Sequence, residues 1–319
     1  MSAESGTSHI VQSLIVNTII AIAKLVGAYF TKSGAMLAEG IHSTADCFNQ
    51  LLLLLGVRES RRPADDRHPL GYGRNVYFWS FMVALLLFTG GGVFSIYEGI
   101  HKLQHPEPVE HVEWAIGILG FSLLLEAWAT FGNIKTLNKR RGAKPFFRFL
   151  RTTKDSDLVV VFGENSAAVL GLVIALASIG VTKMTGDARA DAIGSLLVGV
   201  VLVAVAVFLA VEVKSLLVGE SADPEIELAA KELAGADARI HHVASCITMQ
   251  QGPGEVLVAL KIVCEPGLSA MDVSALINEL EARLRGRCPE AKWIYVEPDL
   301  TSLARVPSAG ATATSATSR

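Results

Sequence analysis

The stretch "MLAEGIHSTADCFNQLLLLLG", residues 36–56, is long and apolar enough to cross a bilayer and yet contains several polar side chains. Four of them, spaced three, four and three residues apart, form what we call the polar stripe: Glu39, His42, Asp46 and Asn49. At this spacing they project from one face of a helix. With a rise of about 1.5 Å per residue, His42 and Asp46 lie roughly 12 to 18 Å along the span, near the middle of a bilayer about 30 Å thick. The stretch therefore predicts a transmembrane helix with polar groups at its centre.

The whole chain has the composition of a membrane protein. Its 319 residues are 51% hydrophobic, and the mean hydropathy of +0.42 exceeds what soluble domains usually show. The net charge of −3 gives no indication of nucleic-acid binding. Four cysteines without a C-x-x-C pair indicate reduced thiols rather than a zinc finger or a disulfide framework. The first apolar run lacks a preceding basic region, so we expect no removable signal peptide.

Six segments reach the length of a spanning helix, about 20 mostly apolar residues. They are residues 10–30, 35–57, 77–100, 113–133, 157–181 and 189–213. Lysine and arginine concentrate in the connections between the second and third and between the fourth and fifth segments. By the positive-inside rule these connections are cytoplasmic, and both termini with them. The second basic run also suits binding of lipid headgroups. The predicted fold class is thus an α-helical membrane protein with six transmembrane helices.

A small α+β domain is predicted to follow the last span. Asp223 and Pro224 are typical of a helix start, and two strands are expected on either side of the turn at residues 252–254. The segment "SAMDVSALINELEARLRGR" reads as an amphipathic helix and "AKWIYVEPD" as a last strand, which gives the order α-β-β-α-β.

The chain accordingly divides into three predicted parts. They are a transmembrane domain at 1–215, a cytoplasmic α+β domain at 216–303 and a disordered tail at 304–319, which is small and polar in composition. Because so small a domain has a limited core, we expect it to be stabilised by packing against a second copy of itself.

Placing the polar stripe inside a bilayer costs free energy, so we expect these side chains to have a function. A charge at the bilayer centre costs at least about 2.5 to 3.5 kcal/mol on insertion scales, and such groups usually face a bundle interior or a water-filled cavity. Imidazole nitrogen and carboxylate oxygen are ordinary ligands of zinc and related divalent metals, so His42 and Asp46 can bind one ion. Two ligands, however, make only half of a tetrahedral site.

The fifth segment offers the other half. "DLVVVFGENSAAVLGLVIALASIG" places Glu164 and Asn165 side by side in otherwise apolar sequence. The alternative is structural, because polar side chains also bond helices to one another in membranes. Asn17 and Glu126 are weaker candidates, for which a structural role is the better interpretation.

Several segments together resemble the cation diffusion facilitator family over nearly the whole chain. They are "SGAMLAEGIHSTADCFNQ", "RRPADDRHPLGYGRNVYFWS", "DARADAIGSLLVGVVL" and "LLVGESADP". The stretches "AEGIHSTADCFNQLLLLLG" and "GENSAAVLGLVIA" together are most similar to the branch that includes the mitochondrial zinc transporter of animals and its bacterial relatives. The resemblance implies a homodimeric exporter that moves zinc, or a related divalent metal, out of the cytoplasm in exchange for protons.

The resemblance also implies roles for individual positions. His42 and Asp46 match the family's ligands in the second span, whereas Asn165 falls where the family usually has an aspartate. The histidine expected four residues earlier is Val161. This departure makes Glu164 the leading candidate to complete the site, although adjacent residues point about 100° apart on a helix. Water can also fill a position.

Two further metal sites of the family are only partly retained. Asp65 and His68 match ligand positions of some members, but Tyr72 replaces another histidine, and an ion-paired loop at the membrane surface is the alternative. In the C-terminal domain, Lys261 and Tyr295 stand at ligand positions and leave Glu297 as a remnant. We interpret His241 and His242 as solvated loop residues, so the domain is expected to dimerise with weak or absent metal sensing.

The leading functional hypothesis is a proton-coupled exporter of zinc in the bacterial plasma membrane. Its expected partners are the divalent metal, protons, lipid and a second copy of the chain, with no cofactor beyond the transported metal. An oxygen-rich site would favour manganese, iron(II) or cobalt instead. A different class is a non-transporting partner that dimerises with another transporter, although such a subunit has no reason to keep a buried His and Asp. A membrane enzyme is disfavoured, since no nucleophile and base pair and no phosphate loop is recognisable.

Overall fold

The structure of the chain is a computed structural model. The structure describes residues 3–142, 145–153 and 156–299. They divide into two compact units on either side of the bond between Gly219 and Glu220, four residues beyond the boundary placed from the sequence. The predicted disordered tail at 304–319 and the basic residues Lys144 and Lys154 lie outside the described residues.

The first unit is entirely helical over its described residues. Its helices are α1 (Ala3–Thr31), α2 (Gly34–Ser60), α3 (Asn75–Leu86), α4 (Phe94–Gln104), α5 (Val112–Arg141), α6 (Phe146–Thr152), α7 (Ser156–Thr185) and α8 (Arg189–Val218). A π-helical segment, Leu87–Val93, joins α3 to α4. The sequence predicted neither this π-helix, which contains three consecutive glycines, nor the short α6 within the basic connection.

Four stretches of the described helices are long and apolar enough to cross a membrane. They are Asn75–Gln104, Val112–Lys139, Val159–Thr185 and Arg189–Val218. This finding confirms the prediction of a helical membrane domain. The apolar part of α1 described by the structure, Asn17–Thr31, is shorter than these four stretches, and α2 carries the polar stripe.

Helix α2 lies at the centre of the bundle. It contacts α1, α3, α4, α7 and α8. Small residues permit this crowding: Gly34, Ala35, Ala38, Gly40 and Ala45 are all buried on α2. The helix that carries the polar stripe is therefore surrounded by protein on most of its circumference, as expected for polar groups at membrane depth.

Glycines also let α4 approach α8 at backbone distance. A Cβ built on Gly99 would lie 2.8 Å from the backbone nitrogen of Leu196, and one on Gly199 would lie 2.8 Å from the backbone nitrogen of Ile96. Neither position tolerates a side chain without separating the helices. Close packing of small residues is a common means of helix association in membranes.

The second unit is a three-stranded sheet covered on one face by helices. Helix α9 (Pro224–Gly235) begins at the N-cap Asp223, whose side chain accepts a hydrogen bond from the Glu225 N–H at 3.1 Å. Strands β1 (Ile240–Gly252) and β2 (Glu255–Cys264) pair antiparallel across the expected turn, and α10 (Ala270–Arg287) leads to β3 (Ala291–Asp299), which pairs parallel with β2. The predicted C-terminal sheet region is thus confirmed.

Alternation along the strands separates the core face of this sheet from the opposite face. Val256, Val258, Leu260 and Ile262 alternate with partly exposed residues and form a core with Leu276, Leu280 and Leu284 of α10. On the opposite face Ile247 and Tyr295 are exposed. One prediction in this unit was wrong: His241 and His242 lie in β1 rather than in a loop, because the strand begins at Ile240.

Candidate functional site

The centre of the polar stripe is a pair of buried side chains with unused hydrogen-bonding atoms. His42 is completely buried on α2, and its Nδ1 lies 3.6 Å from Oδ1 of Asp46, whose side chain is 15% exposed. Among the described residues, neither ring nitrogen of His42 nor Oδ1 of Asp46 has a hydrogen-bond partner. Since nearly all buried polar atoms in proteins are paired, unpaired ones at this depth require an explanation.

A second polar pair joins α2 to α7. Asn49 donates a hydrogen bond from Nδ2 to Oε1 of Glu164 at 2.6 Å, and both side chains are buried. Glu164 therefore faces α2. The adjacent Asn165 is rotated by about 100° around α7, and its backbone carbonyl accepts a hydrogen bond from Oγ1 of Thr130 on α5 at 3.4 Å.

The candidate metal ligands form two neighbouring pairs, His42 with Asp46 and Glu164 with Asn49, rather than one coordination shell. Within the described residues, no three His, Cys, Asp or Glu side chains converge closely enough to hold a metal ion. Asp46, Glu164 and Glu126 of α5 are nevertheless within electrostatic range of one another. A group of carboxylates around Asp46, which itself lies beside His42, forms an environment that favours a cation.

Comparison with known proteins places the chain in a family. The family model described as the cation efflux transmembrane domain matches residues 10–218, more than half of the chain. The chain belongs to the cation efflux family. The matched range includes α2 and α7, and with them both polar pairs.

Individual relatives give this family assignment more detail. The mitochondrial proton-coupled zinc antiporter SLC30A9 of Xenopus laevis is 32% identical over 279 residues, which are 85% of this chain and 50% of that protein. Its Homo sapiens counterpart is 30% identical over 277 residues, 84% of this chain and 49% of that protein. Metal tolerance protein C4 of Arabidopsis thaliana is 32% identical over 231 residues, 72% of this chain and 50% of that protein. The chain spans about half the length of the curated relatives it matches.

One buried charged group of this cation efflux domain was not predicted from the sequence. Lys24 of α1 is completely buried, and its Nζ lies 3.2 Å from Oε2 of Glu39 and donates to Oγ of Ser43 at 2.8 Å. The available signal was a single lysine within the otherwise apolar run "IIAIAKLVGAYF". Glu39, the first member of the polar stripe, is thus half of an ion pair between α1 and α2.

A second missed residue is Asp191, which holds the start of α2. Its carboxylate accepts hydrogen bonds from Oγ of Ser33 at 2.6 Å, from the Gly34 N–H at 2.6 Å and from the Ala35 N–H at 3.4 Å. Ser33 in turn accepts from the Met36 N–H at 3.1 Å as the N-cap. A carboxylate at a helix N-terminus satisfies orphan donors and complements the helix dipole. Asp191 therefore fixes the polar stripe to the first turn of α8.

We predict that Asp191→Ala destabilises the protein strongly. The substitution leaves buried donors of Ser33 and Gly34 without an acceptor, which costs about 3 kcal/mol or more and lowers the apparent melting temperature in detergent by roughly 5 to 10 °C. The matched control is Asp187→Ala, since Asp187 is exposed and accepts one hydrogen bond from the Arg189 N–H at 2.9 Å. Equal melting temperatures for the two variants would show that Asp191 does not anchor α2.

The loop between α2 and α3 uses the Asp65 carboxylate for its own structure. Oδ1 of Asp65 accepts from the backbone N–H groups of Arg67 and His68 at 3.0 and 2.8 Å, and Oδ2 accepts from the Tyr72 hydroxyl at 2.7 Å. The hydrogen bond from Tyr72 contributes most to holding the pKa of Asp65 below its usual value. His68 lies near Asp65, with Nδ1 3.5 Å from Oδ1. The candidate ligands Asp65 and His68 are thus neighbours, but the Asp65 carboxylate already accepts three hydrogen bonds.

In the C-terminal unit, a lysine stands where the family resemblance implied a metal ligand. Nζ of Lys261 lies 3.2 Å from Oε1 of Glu297 and 3.3 Å from Oδ2 of Asp299. The hydrogen bond to Glu297 is the main cause that raises the pKa of Lys261, so this position carries a positive charge at neutral pH. The ammonium group of Lys261, already paired with two carboxylates, disfavours binding of a metal cation at this position.

Proposed function

We propose that the protein is a secondary transporter that exports a divalent metal cation, zinc in the first place, from the cytoplasm in exchange for protons. The observation that carries the proposal is the ring of His42 beside Oδ1 of Asp46 on the central helix of the bundle, since none of these atoms has a hydrogen-bond partner within the part of the chain that the structure describes. A neutral imidazole nitrogen and a carboxylate oxygen can bind one divalent metal ion together. The relatives named as proton-coupled zinc antiporters and the membership of the cation efflux family support it further.

The proposed metal ligands are His42, Asp46 and Glu164, with Asn165 or water as alternatives for the remaining position. Support for Glu164 over Asn165 comes from its direction toward α2, where it meets Asn49. Because the described side chains do not converge as a set of three, loading requires Glu164 to move toward His42 and Asp46. Its hydrogen bond with Asn49 uses only Oε1, so Oε2 is available to the metal. This movement couples metal binding to an approach of α2 and α7.

Proton exchange follows from the chemistry of these ligands. Carboxylates and imidazole bind metal only when they are deprotonated, so a metal that enters displaces the protons they hold. The unperturbed pKa of histidine, about 6.5, makes His42 the natural coupling group. Export results if the site loads from the cytoplasm and takes up protons on the other side, as the bundle alternates between two conformations.

The membrane arrangement is part of the same proposal. All six long helical regions cross the membrane with both termini in the cytoplasm, as the basic connections suggest, and the host is the bacterial plasma membrane. The chain acts as a homodimer, which the exposed Ile247 and Tyr295 on the uncovered sheet face support. A resident metal at Asp65 and His68 has less support, because that carboxylate is engaged within its loop.

Metal-driven proton flux tests the proposal. Purified protein is reconstituted in vesicles with an internal pH indicator, and zinc, manganese, iron(II), cobalt and cadmium are added in turn. We predict the fastest proton flux with zinc. A maximum with manganese or iron(II) would change the transported metal but keep the mechanism, whereas no flux above protein-free vesicles from folded, dimeric protein would favour the non-transporting partner.

A further inference from the structure

The buried pair of Lys24 and Glu39 lies beside the proposed metal site and supplies none of the proposed ligands. The two side chains are fully buried, and Nζ of Lys24 lies 3.2 Å from Oε2 of Glu39. The hydroxyl of Ser43, which follows His42 in the sequence, accepts a second hydrogen bond from Lys24 at 2.8 Å. A buried ion pair is weak evidence for a stabilising role, because desolvation of two charges offsets much of their attraction.

Glu39 places this pair at the opposite end of the polar stripe from Glu164. Its second oxygen, Oε1, has no hydrogen-bond partner among the described residues and is so close to α7 that a Cβ on Gly171 would collide with it. Glu164 lies seven residues before Gly171 on α7, whereas Asn49 lies ten residues after Glu39 on α2. The two helices are therefore antiparallel here, with Asn49 and Glu164 at one end of the stripe and Glu39 with Lys24 at the other.

Lys24 also acts electrostatically on the groups between these two ends. Its charge reaches His42 and Asp46, as well as Glu126 on α5. A fixed positive charge within this range repels a divalent cation at His42 and Asp46, while Glu39 alone would attract it. The pair thus contributes two opposite effects that nearly cancel as long as both charges are present.

We propose that the ammonium group of Lys24 is the internal counter-ion of Glu39 and keeps this carboxylate from binding the transported metal. Lys24 thereby keeps the metal affinity of the His42–Asp46 site low enough for release. The inference rests on the proposed transport function and names Lys24 as a positioning residue for it. A transport site must bind its ion strongly enough to load and weakly enough to unload. Without Lys24, the freed Glu39 would add an uncompensated carboxylate to the stripe.

Zinc affinity in four variants tests the inference. The dissociation constant is measured by calorimetry on the full chain in detergent at constant pH and ionic strength, and flux is measured in vesicles. We predict that Lys24→Met lowers the zinc dissociation constant at least about tenfold and slows maximal flux, while Glu39→Gln raises the constant by a similar factor. Lys24→Arg and the double variant Lys24→Met/Glu39→Gln should stay within about threefold of wild type, because their charge balance is unchanged.

Lys183→Met provides a matched control. Lys183 also forms an ion pair, with Nζ 2.9 Å from Oε1 of Glu113, but both side chains are exposed at helix ends. Its removal should leave the zinc dissociation constant unchanged. A comparable change in this variant would show that the affinity responds to net charge anywhere in the protein, and would overturn the assignment to Lys24.

The possible results separate the inference from the function on which it rests. If wild type binds zinc but Lys24→Met binds it with the same affinity, or the double variant is no closer to wild type than Lys24→Met, Lys24 is merely structural. If Lys24→Met does not fold, Glu39→Gln and the double variant decide, since an unchanged affinity in Glu39→Gln overturns the inference. If wild type itself binds no zinc, the proposed function fails and the inference with it.

Discussion

Metal-driven proton flux is expected to fall to the level of protein-free vesicles in the Asp46→Ala variant. The substitution removes the carboxylate that faces His42 at 3.6 Å and leaves one protein ligand on α2. Loss of a direct ligand should weaken metal binding by more than the 10- to 100-fold typical of mere supporting residues, that is, by more than about a hundredfold. His42→Ala should likewise lose coupled flux, because it removes the group best suited to exchange protons near neutral pH.

Thr44→Ala is the control for this prediction. Thr44 lies on α2 between His42 and Asp46, and its hydroxyl donates to the carbonyl oxygen of Gly40 at 2.9 Å, within its own helix. Its flux should equal that of wild type. Since Oδ1 of Asp46 has no hydrogen-bond partner among the described residues, Asp46→Ala should also keep the wild-type melting temperature. Undiminished flux in Asp46→Ala would remove the polar stripe from the transport mechanism.

The second large effect concerns the choice between Glu164 and Asn165. We predict that Glu164→Ala and Glu164→Gln both reduce metal-driven flux by more than about tenfold, because neither retains a carboxylate for the metal. Glu164→Gln is the sharper test. Its amide oxygen can still accept the hydrogen bond from Asn49, now 2.6 Å long, so the packing of α2 against α7 is kept while the charge is lost.

Asn165→Ala serves as the matched comparison, one position along the same helix. We expect it to transport within about twofold of wild type, because the α7 backbone rather than this side chain makes the contact with Thr130. The reverse pattern, with Asn165→Ala inactive and Glu164→Gln active, would transfer the ligand role to Asn165. Glu164 would then serve only to link α7 to α2 through its hydrogen bond with Asn49.

Local pattern predicted much of the fold. The three- and four-residue spacing of the polar stripe indicated one helix face, and that face lies at the centre of the bundle. The strand alternation and the turn at 252–254 likewise predicted β1 and β2. These features depend on residues close in sequence, for which periodicity and turn chemistry are direct signals.

Interactions between distant residues could not be predicted in the same way. Asp191 and Ser33 are 158 positions apart, and the pairing of Lys24 with Glu39 depends on how α1 packs on α2. The π-helix at Leu87–Val93 extends a continuous apolar segment, so hydropathy gives no signal for it. The direction of Glu164 toward α2 also depended on the rotation of α7, which a largely apolar span does not specify.

Zinc titration of the purified chain tests the central claim most directly. Calorimetry in buffers of different ionisation enthalpy measures both the number of zinc ions bound and the number of protons released. We predict that the double variant His42→Ala/Asp46→Ala loses one zinc ion per chain and the proton release that accompanies it. Zinc binding with unchanged stoichiometry and proton release in that variant would contradict the account, because the exchanging site would then lie elsewhere.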